Sequence, residues 1–459
     1  MKKYLTDNKK LFLILFLAFF LRFIFSYLYP VTLDESWSHF LSFTSVSNIF
    51  NELRSDSTSP VFIYIVHKVF NIFHSEAFIR LPFFLSGFIS LFFIYKISDN
   101  RTFALLFSSF SFFLIKESSI ARMHSFSLLF SCASLYFFIK TFGEAKIKNF
   151  ILFSLFSIFS AYNFYPSLSL TFGLFISYLI LSKDSESPFV YYAASFLLIA
   201  FISVPAFYFL DIFSIKNRFM TNLSFPSGAF LPYLIHSFSF SEEIFPYKEI
   251  KNFKLITFLV FTLPILIIFI KGLLCDMSYK KKIMFISSAV SIFLFFLVSL
   301  KIPKVLYSPK YLMALYPAFV YFISEGVSKL KRQYEILLIF FLILSNSYSF
   351  YLAFSENKED WRKIADFVSL NTNGEEEVLV FSQAMQYPFS FYYKKPFIAL
   401  KEVSQVQNIF KKAYTGVFYI KSHDYENKSV LYQNEIEKKL KLKYYKKFGN
   451  IEIFRYDSK

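Results

Sequence analysis

The chain has 459 residues, 55% of them hydrophobic, and a mean hydropathy of +0.46. Soluble domains do not look like this, and polytopic membrane proteins do. A net charge of +17 could point to nucleic acid. The lysines and arginines, however, cluster between apolar runs, as cytoplasmic loops facing anionic lipid do, so no nucleic-acid partner is expected and membrane lipids are.

Two cysteines, Cys132 and Cys275, lie in or beside apolar runs, with no disulfide framework and no metal-type spacing. Met1 to Lys10 is basic and precedes an apolar run without a small-residue cleavage site. We read it as a retained first helix with a cytoplasmic start.

Apolar runs of spanning length recur at 11–29, 77–97, 102–117, 123–140, 149–163, 166–182, 188–210, 253–274, 283–300, 309–327 and 336–354. A shorter run, 60–73, carries His67 and Lys68. If it spans, the clusters at Lys96 and Arg101, Lys140 to Lys148, Lys280 to Lys282, and Lys329 to Arg332 all fall outside. If it lies in the interface, all of them fall inside with the N-terminus, as the positive-inside rule prefers. The second choice gives about eleven spans, with the C-terminal tail outside. The fold class expected is an α-helical polytopic membrane domain over 1–354, followed by a small extracytoplasmic α/β domain over 355–459.

The outer regions on this topology are a first loop over 30–76, turns at 117–122, 162–166 and 301–310, a long loop over 211–252, and the tail. The first loop begins with Thr32-Leu33-Asp34-Glu35, two carboxylates at the point where a helix leaves the lipid. Ionised groups there cost free energy unless they face water or a partner. Trp37 to Phe43 and Val46 to Leu53 are amphipathic and predict short helices on the membrane surface. In the tail, helices are predicted at 359–370, 405–413 (capped by Ser404) and 433–442. Strands are predicted at 378–381, 416–420 and 451–456.

Four further elements carry chemistry: Ser59-Pro60-Val61-Phe62-Ile63-Tyr64; Arg80-Leu81-Pro82, with the proline starting a helix; Lys116-Glu117 through Arg122-Met123-His124; and Tyr307-Ser308-Pro309-Lys310-Tyr311, with Pro317 inside the next span. On the chosen topology all reach the outer face, where Asp34 and Glu35 would be ringed by Arg80, Arg122, His124 and Lys310. A carboxylate pair facing cations suits a site that holds a phosphate and deprotonates a hydroxyl.

In this order the elements resemble the GT-C superfamily of polytopic glycosyltransferases. Within it they are most similar to glycosyltransferase family 39, the bacterial relatives of protein O-mannosyltransferases and of lipid A aminoarabinose transferases. Asp34-Glu35 matches the family's Asp-Glu after the first span. Ser59 to Tyr64 is similar to its His-Pro-Pro-Leu-Tyr-Tyr element. Arg80-Leu81-Pro82, Ala121-Arg122-Met123-His124, Ser308-Pro309-Lys310-Tyr311-Leu312 and Asp360-Trp361-Arg362 match the rest in order.

The resemblance implies transfer of a sugar from a polyprenyl-phosphate carrier to a lipid A, polysaccharide, glycolipid or protein acceptor, at the outer face of a bacterial cytoplasmic membrane. Asp34 would be the general base or the acid that orients the acceptor, with Glu35 supporting it. Arg80, Arg122 and Lys310 would touch phosphate or sugar, with Glu117, His124 and Tyr311 as further substrate-facing candidates. No cofactor is expected. The turn at Glu117 to Arg122 lacks the Asp of some relatives, so a divalent metal is not supported. Ser59 and Val61 replace the family's His and Pro, and Lys310 stands where Arg is usual, which weakens bidentate phosphate binding. A transporter or flippase is the alternative. It would carry mid-membrane ionisable residues and repeat symmetry, and the charges here lie mostly at span ends. A non-catalytic membrane scaffold is the third reading, and it would make Asp34 dispensable.

Overall fold

The computed structural model describes residues 2–53, 62–70, 75–144, 146–185, 188–208, 230–244, 258–299, 309–355, 359–373, 376–410, 416–422, 424 and 428–458. Ser59, Pro60, Val61, Tyr307 and Ser308 of the motifs lie outside them. The chain divides into two compact units: Met1–Ser26 with Ser42–Leu352, and Tyr27–Leu41 with Ala353–Lys459.

The first unit is helical. Among the described residues five helices are long and apolar enough to cross a membrane: Lys9–Leu28, Glu76–Ile97, His124–Gly143, Tyr279–Val298 and Arg332–Ala353. Shorter apolar helices run over Tyr165–Leu181, Phe189–Val204 and Leu259–Leu274. Helices also form at Ile147–Asn163 and Tyr316–Ser328, where apolar runs were predicted. Of the run that decided the expected topology, the described residues Phe62–Phe70 form a helix.

Glycine sets one helix contact in this unit. A Cβ at Gly272 would overlap the Phe322 carbonyl, and one at Gly326 the Ile268 carbonyl. The helices Leu263–Leu274 and Tyr316–Ser328 therefore meet backbone to backbone, as small residues allow in membrane domains. Gly326→Val is expected to force them apart and lower the melting temperature in detergent by several degrees. An unchanged melt would show that the contact is not needed.

Four local expectations are corrected here. The run 102–117 is two helices, Arg101–Phe110 and Phe112–Ser119. The loop 211–252 contains an apolar helix, Phe230–Phe240. Pro82 does not start its helix, which begins at Glu76 with Ser75 as its cap. Pro317 is not inside a continuous span; a 3₁₀ segment, Pro309–Leu315, precedes it, and it sits in the first turn of Tyr316–Ser328, where its missing N–H costs nothing.

The second unit is a five-stranded sheet with helices on both faces. Its strands are β1 (Glu376–Phe381), β2 (Ile398–Ala399), β3 (Gly416–Lys421), β4 (Leu440–Phe448) and β5 (Ile451–Ser458), in the order β2-β1-β3-β5-β4. β1 pairs parallel with β2 and β3, and β5 pairs antiparallel with β3 and β4. Alternation along the strands fills two cores. Val378, Val380, Phe418 and Ile420 pack with Trp361, Ile364, Val368 and Phe389 on one face. Leu379, Phe381, Val417 and Tyr419 pack with Val406, Tyr432 and Ile436 on the other.

Two tail expectations also change. The helix predicted at 405–413 is Val403–Ile409, and Glu402 caps it in a box with Gln405, not Ser404. The helix predicted at 433–442 ends at Lys439. From Leu440 the chain is the edge strand β4, whose lysines at 441, 443, 446 and 447 keep a sheet edge soluble.

Candidate functional site

Within the helical unit, polar bonds from three other helices converge on Phe112–Ser119. Ser111 ends the helix before it and caps this one, its Oγ accepting from Leu114 N. The Phe112 N–H donates to Asn346 Oδ1 at 2.6 Å, and Ser111 Oγ donates to the Phe238 carbonyl at 3.4 Å. Arg22, fully buried in the first span, donates to the carbonyls of Ala18, Ser108 and Ser109 and to Ser118 Oγ at 3.0–3.2 Å. It thereby satisfies carbonyls that the end of Arg101–Phe110 leaves without helix partners. Gly87 lets the short helix lie close, since a Cβ there would overlap Ser118.

The convergence fixes Lys116 and Glu117. After Ser119 the chain bends at 120–123 and re-enters a helix at His124. Asn163 Nδ2 donates to the Met123 carbonyl at 2.9 Å, and His67 Nε2 lies 3.0 Å from the Ala121 carbonyl. Glu117, Arg122 and His124 are all buried.

Charges gather around this bend. Lys116 Nζ is 2.7 Å from Glu243 Oε1. Glu242 faces Lys116, Lys310, Glu117 and Glu243. Burial pushes the Glu242 carboxyl up to about 7; Lys116 and Lys310 pull it down, and Glu117 and Glu243 raise it further. Lys310 Nζ lies over the Tyr311 ring at 5.9 Å. Tyr311, His124 and Phe164 form an aromatic group, with centroids 5.6–6.2 Å apart.

Of the candidates, the structure therefore brings Glu117, His124, Lys310 and Tyr311 together beside the bend that carries Arg122. Arg80 is fully buried; its Nη1 donates to the Ser26 carbonyl at 2.8 Å and lies 4.0 Å from Glu76.

Sequence reasoning missed Glu242 and Glu243. A signal was present: the apolar run Phe230 to Phe240 ends in Ser241-Glu242-Glu243, the pattern that selected Asp34-Glu35. Ser241 adopts φ 69°, a left-handed turn rare outside glycine, and its N–H still donates to the Ser237 carbonyl. This terminates the helix and starts the turn that holds both acids.

A carboxyl with a raised folded-state pKa keeps a proton that the unfolded chain releases near pH 4.5. Its contribution favours folding at low pH and is lost as pH rises to about 7. Glu242→Gln is therefore expected to melt higher than wild type at pH 8, with the difference shrinking towards pH 5. Equal melts at both pH values would remove the buried-acid assignment.

The second unit holds Asp34 and Glu35, which differ in environment. Thr32 caps the helix Leu33–Ser42. Its N–H and hydroxyl donate to Glu35 Oε2 at 2.9 and 3.1 Å, and the Glu35 N–H donates back to Thr32 Oγ1 at 3.3 Å. This is a capping box, legible as Thr-x-x-Glu. Glu35 is fully buried, while Asp34 is exposed in the first turn.

The Asp-Trp-Arg motif anchors this segment. Asp360 caps the helix Trp361–Asn371, Trp361 is buried in the core that Leu33 joins, and Arg362 Nη2 donates to the Tyr27 carbonyl at 3.5 Å. The Val31 N–H donates to the Tyr392 hydroxyl at 2.7 Å. Beside it a cavity of about 250 Å³ is lined by Tyr29, Thr32, Glu359, Trp361 and Asn450, among others.

Comparison with known proteins adds the following. Residues 57–208 match the family model described as dolichyl-phosphate-mannose-protein mannosyltransferase. This segment, about a third of the chain, contains Arg80, Glu117, Arg122 and His124. No curated protein matches. Among solved structures the chain is similar to ArnT from Cupriavidus metallidurans in the apo state, with TM-score 0.60, 11% identity and 98% of each chain covered. It is also similar to the same protein bound to undecaprenyl phosphate, with TM-score 0.53, 12% identity and 97% of each chain covered. The family match over a third of the chain and the chain-long likeness in fold both agree with the motif order read from the sequence.

Proposed function

We propose that this chain is a glycosyltransferase that moves a sugar from a polyprenyl-phosphate carrier to an acceptor hydroxyl at the outer face of a bacterial cytoplasmic membrane, with its N-terminus inside. The acceptor is a lipid A, surface polysaccharide, glycolipid or protein. The observation that carries the reading is Lys310, with Tyr311 and His124, beside the bend that carries Arg122, a bend that lies within the segment matching the mannosyltransferase family model. Undecaprenyl phosphate bound to the similar ArnT supports the choice of carrier.

The reaction is a single displacement. Asp34 takes the proton of the acceptor hydroxyl, whose oxygen bonds to the anomeric carbon. The bond from that carbon to the carrier phosphate breaks, and the phosphate leaves with the electron pair. The developing phosphate charge needs fixed cations, a role for Arg122 and Lys310, with Arg80 as a further contact. Tyr311 and His124 offer an aromatic wall to the sugar. Glu35 supports Asp34 by holding the helix start.

A transporter would use a mid-span charge for its cargo. Arg22, the buried cation of the first span, donates to backbone carbonyls and to Ser118, which fits a fixed cap better than a carrier site. The test is release of polyprenyl phosphate from radiolabelled polyprenyl-phosphate sugars, in membranes bearing wild type or Asp34→Asn. No release by wild type from any donor would sink the proposal.

A further inference from the structure

A site for an anionic leaving group should carry spare positive charge, yet this one brings acids to its lysines. Glu243 is buried, with its side chain 4% exposed, and pairs with Lys116, whose side chain is 19% exposed. Glu242, the next residue back, faces the same lysine and Lys310. A buried ion pair is a weak source of stability, because desolvation offsets the attraction. Gathered without an anion, Lys116 and Lys310 would repel one another. Acids placed on them remove that repulsion at rest. An acid on a turn can also be exchanged more readily than one on a rigid helix, and Glu242 to Ile244 form a turn beyond the left-handed Ser241.

We propose that Glu243 is the resting counter-ion of Lys116 and that the carrier phosphate displaces it, so that Lys116 becomes a phosphate contact only in the loaded state. This rests on the donor reading above and adds to it a residue, Lys116, and an exchange. Before loading, Lys116 is neutralised by Glu243. On loading, the phosphate oxygens take the ammonium and Glu243 turns away. Glu242 then stands near a new anion besides Glu117 and Glu243, with Lys116 and Lys310 as the cations facing it. A carboxyl in that setting takes up a proton, so loading tightens as pH falls. The exchange also gives selectivity: a neutral polyprenol has no charge with which to displace Glu243.

The experiment uses the full chain in nanodiscs, with undecaprenyl phosphate and undecaprenol as probes and affinities measured at pH 6 and pH 8. Glu243→Gln is expected to bind undecaprenyl phosphate about tenfold more tightly than wild type, the scale of one charged hydrogen bond, and undecaprenol equally. Lys116→Gln is expected to bind the phosphate about tenfold more weakly, and adding Glu243→Gln to it should change nothing further. Wild type should bind more tightly at pH 6 than at pH 8, and Glu242→Gln should flatten that difference. Melting curves at each pH identify any variant that fails to fold, and Glu243→Asp then replaces Glu243→Gln, with affinity between wild type and the tighter variant expected. A phosphate-selective wild type that is indifferent to Glu243→Gln, or a gain that persists without Lys116, overturns this inference alone. A wild type that binds both probes equally overturns the donor reading together with it.

Discussion

Asp34→Asn is expected to lower release of polyprenyl phosphate by about 10²–10⁴-fold, the usual contribution of a positioned base, at equal membrane expression. Asp34 is exposed while its neighbour is not, so the two acids should separate cleanly in such an experiment. Asn keeps the size and hydrogen-bonding oxygen of Asp but cannot accept the acceptor's proton. Glu35→Gln should behave differently. Gln still accepts at the third helical position, so the cap survives in part, and the variant should retain most of its activity. Glu35→Ala should lose the box and destabilise the start of Leu33–Ser42 by about 1 kcal/mol. If Asp34→Asn releases at the wild-type rate, the base is not Asp34, and suspicion moves to the acids beside the bend, Glu117 and Glu242. If Glu35→Gln is as inactive as Asp34→Asn, the division of labour between a cap and a base is wrong.

Arg22→Met is expected to destabilise the chain by about 3–5 kcal/mol, the cost of leaving buried polar groups without their charged partner. Met fills much of the volume but supplies no donor. The carbonyls of Ser108 and Ser109 and the Ser118 hydroxyl would lose a guanidinium bonded to them at 3.0–3.2 Å. No water is at hand in a membrane interior to replace it. The damage should also reach the chemistry, because Ser118 is two residues from Lys116. Arg22→Lys keeps a charge and some of the donors, so it should recover part of the stability and part of the transfer rate. The comparison of thermal melts with release rates for Met and Lys decides the point. A melt for Arg22→Met within about 1 kcal/mol of wild type would show that the break does not depend on Arg22.

The exposed and buried acids illustrate how far local sequence reaches. Thr32-Leu33-Asp34-Glu35 contains its own capping box, and a reader of four residues can separate a cap from an exposed acid. The tail is nearly as legible where periodicity is clean: the face of Trp361, Ile364, Ala365 and Val368, and the strands expected at 378–381 and 416–420 within β1 and β3, follow from patterns of 3.6 and 2. Leu440 to Phe448 was harder, since a helical pattern runs into it without a glycine or proline, and only pairing with β5 makes it a strand.

The sequence by itself determined that this is a helical membrane chain with a polar α/β tail, because hydropathy and periodicity are summed over many residues and survive local exceptions. It also determined the order of motifs that carries the resemblance. Only the tertiary structure decided where the first spans break and what the break holds. The run 102–117 is uncharged and mostly apolar up to Lys116, so a hydropathy window averages across Ser111. What interrupts the helix is an amide 234 residues away, Asn346, and a guanidinium from the first span. The pairing of Lys116 with Glu243 is of the same kind. Buried polar groups must find partners wherever the fold supplies them, and no local pattern records which partner that is.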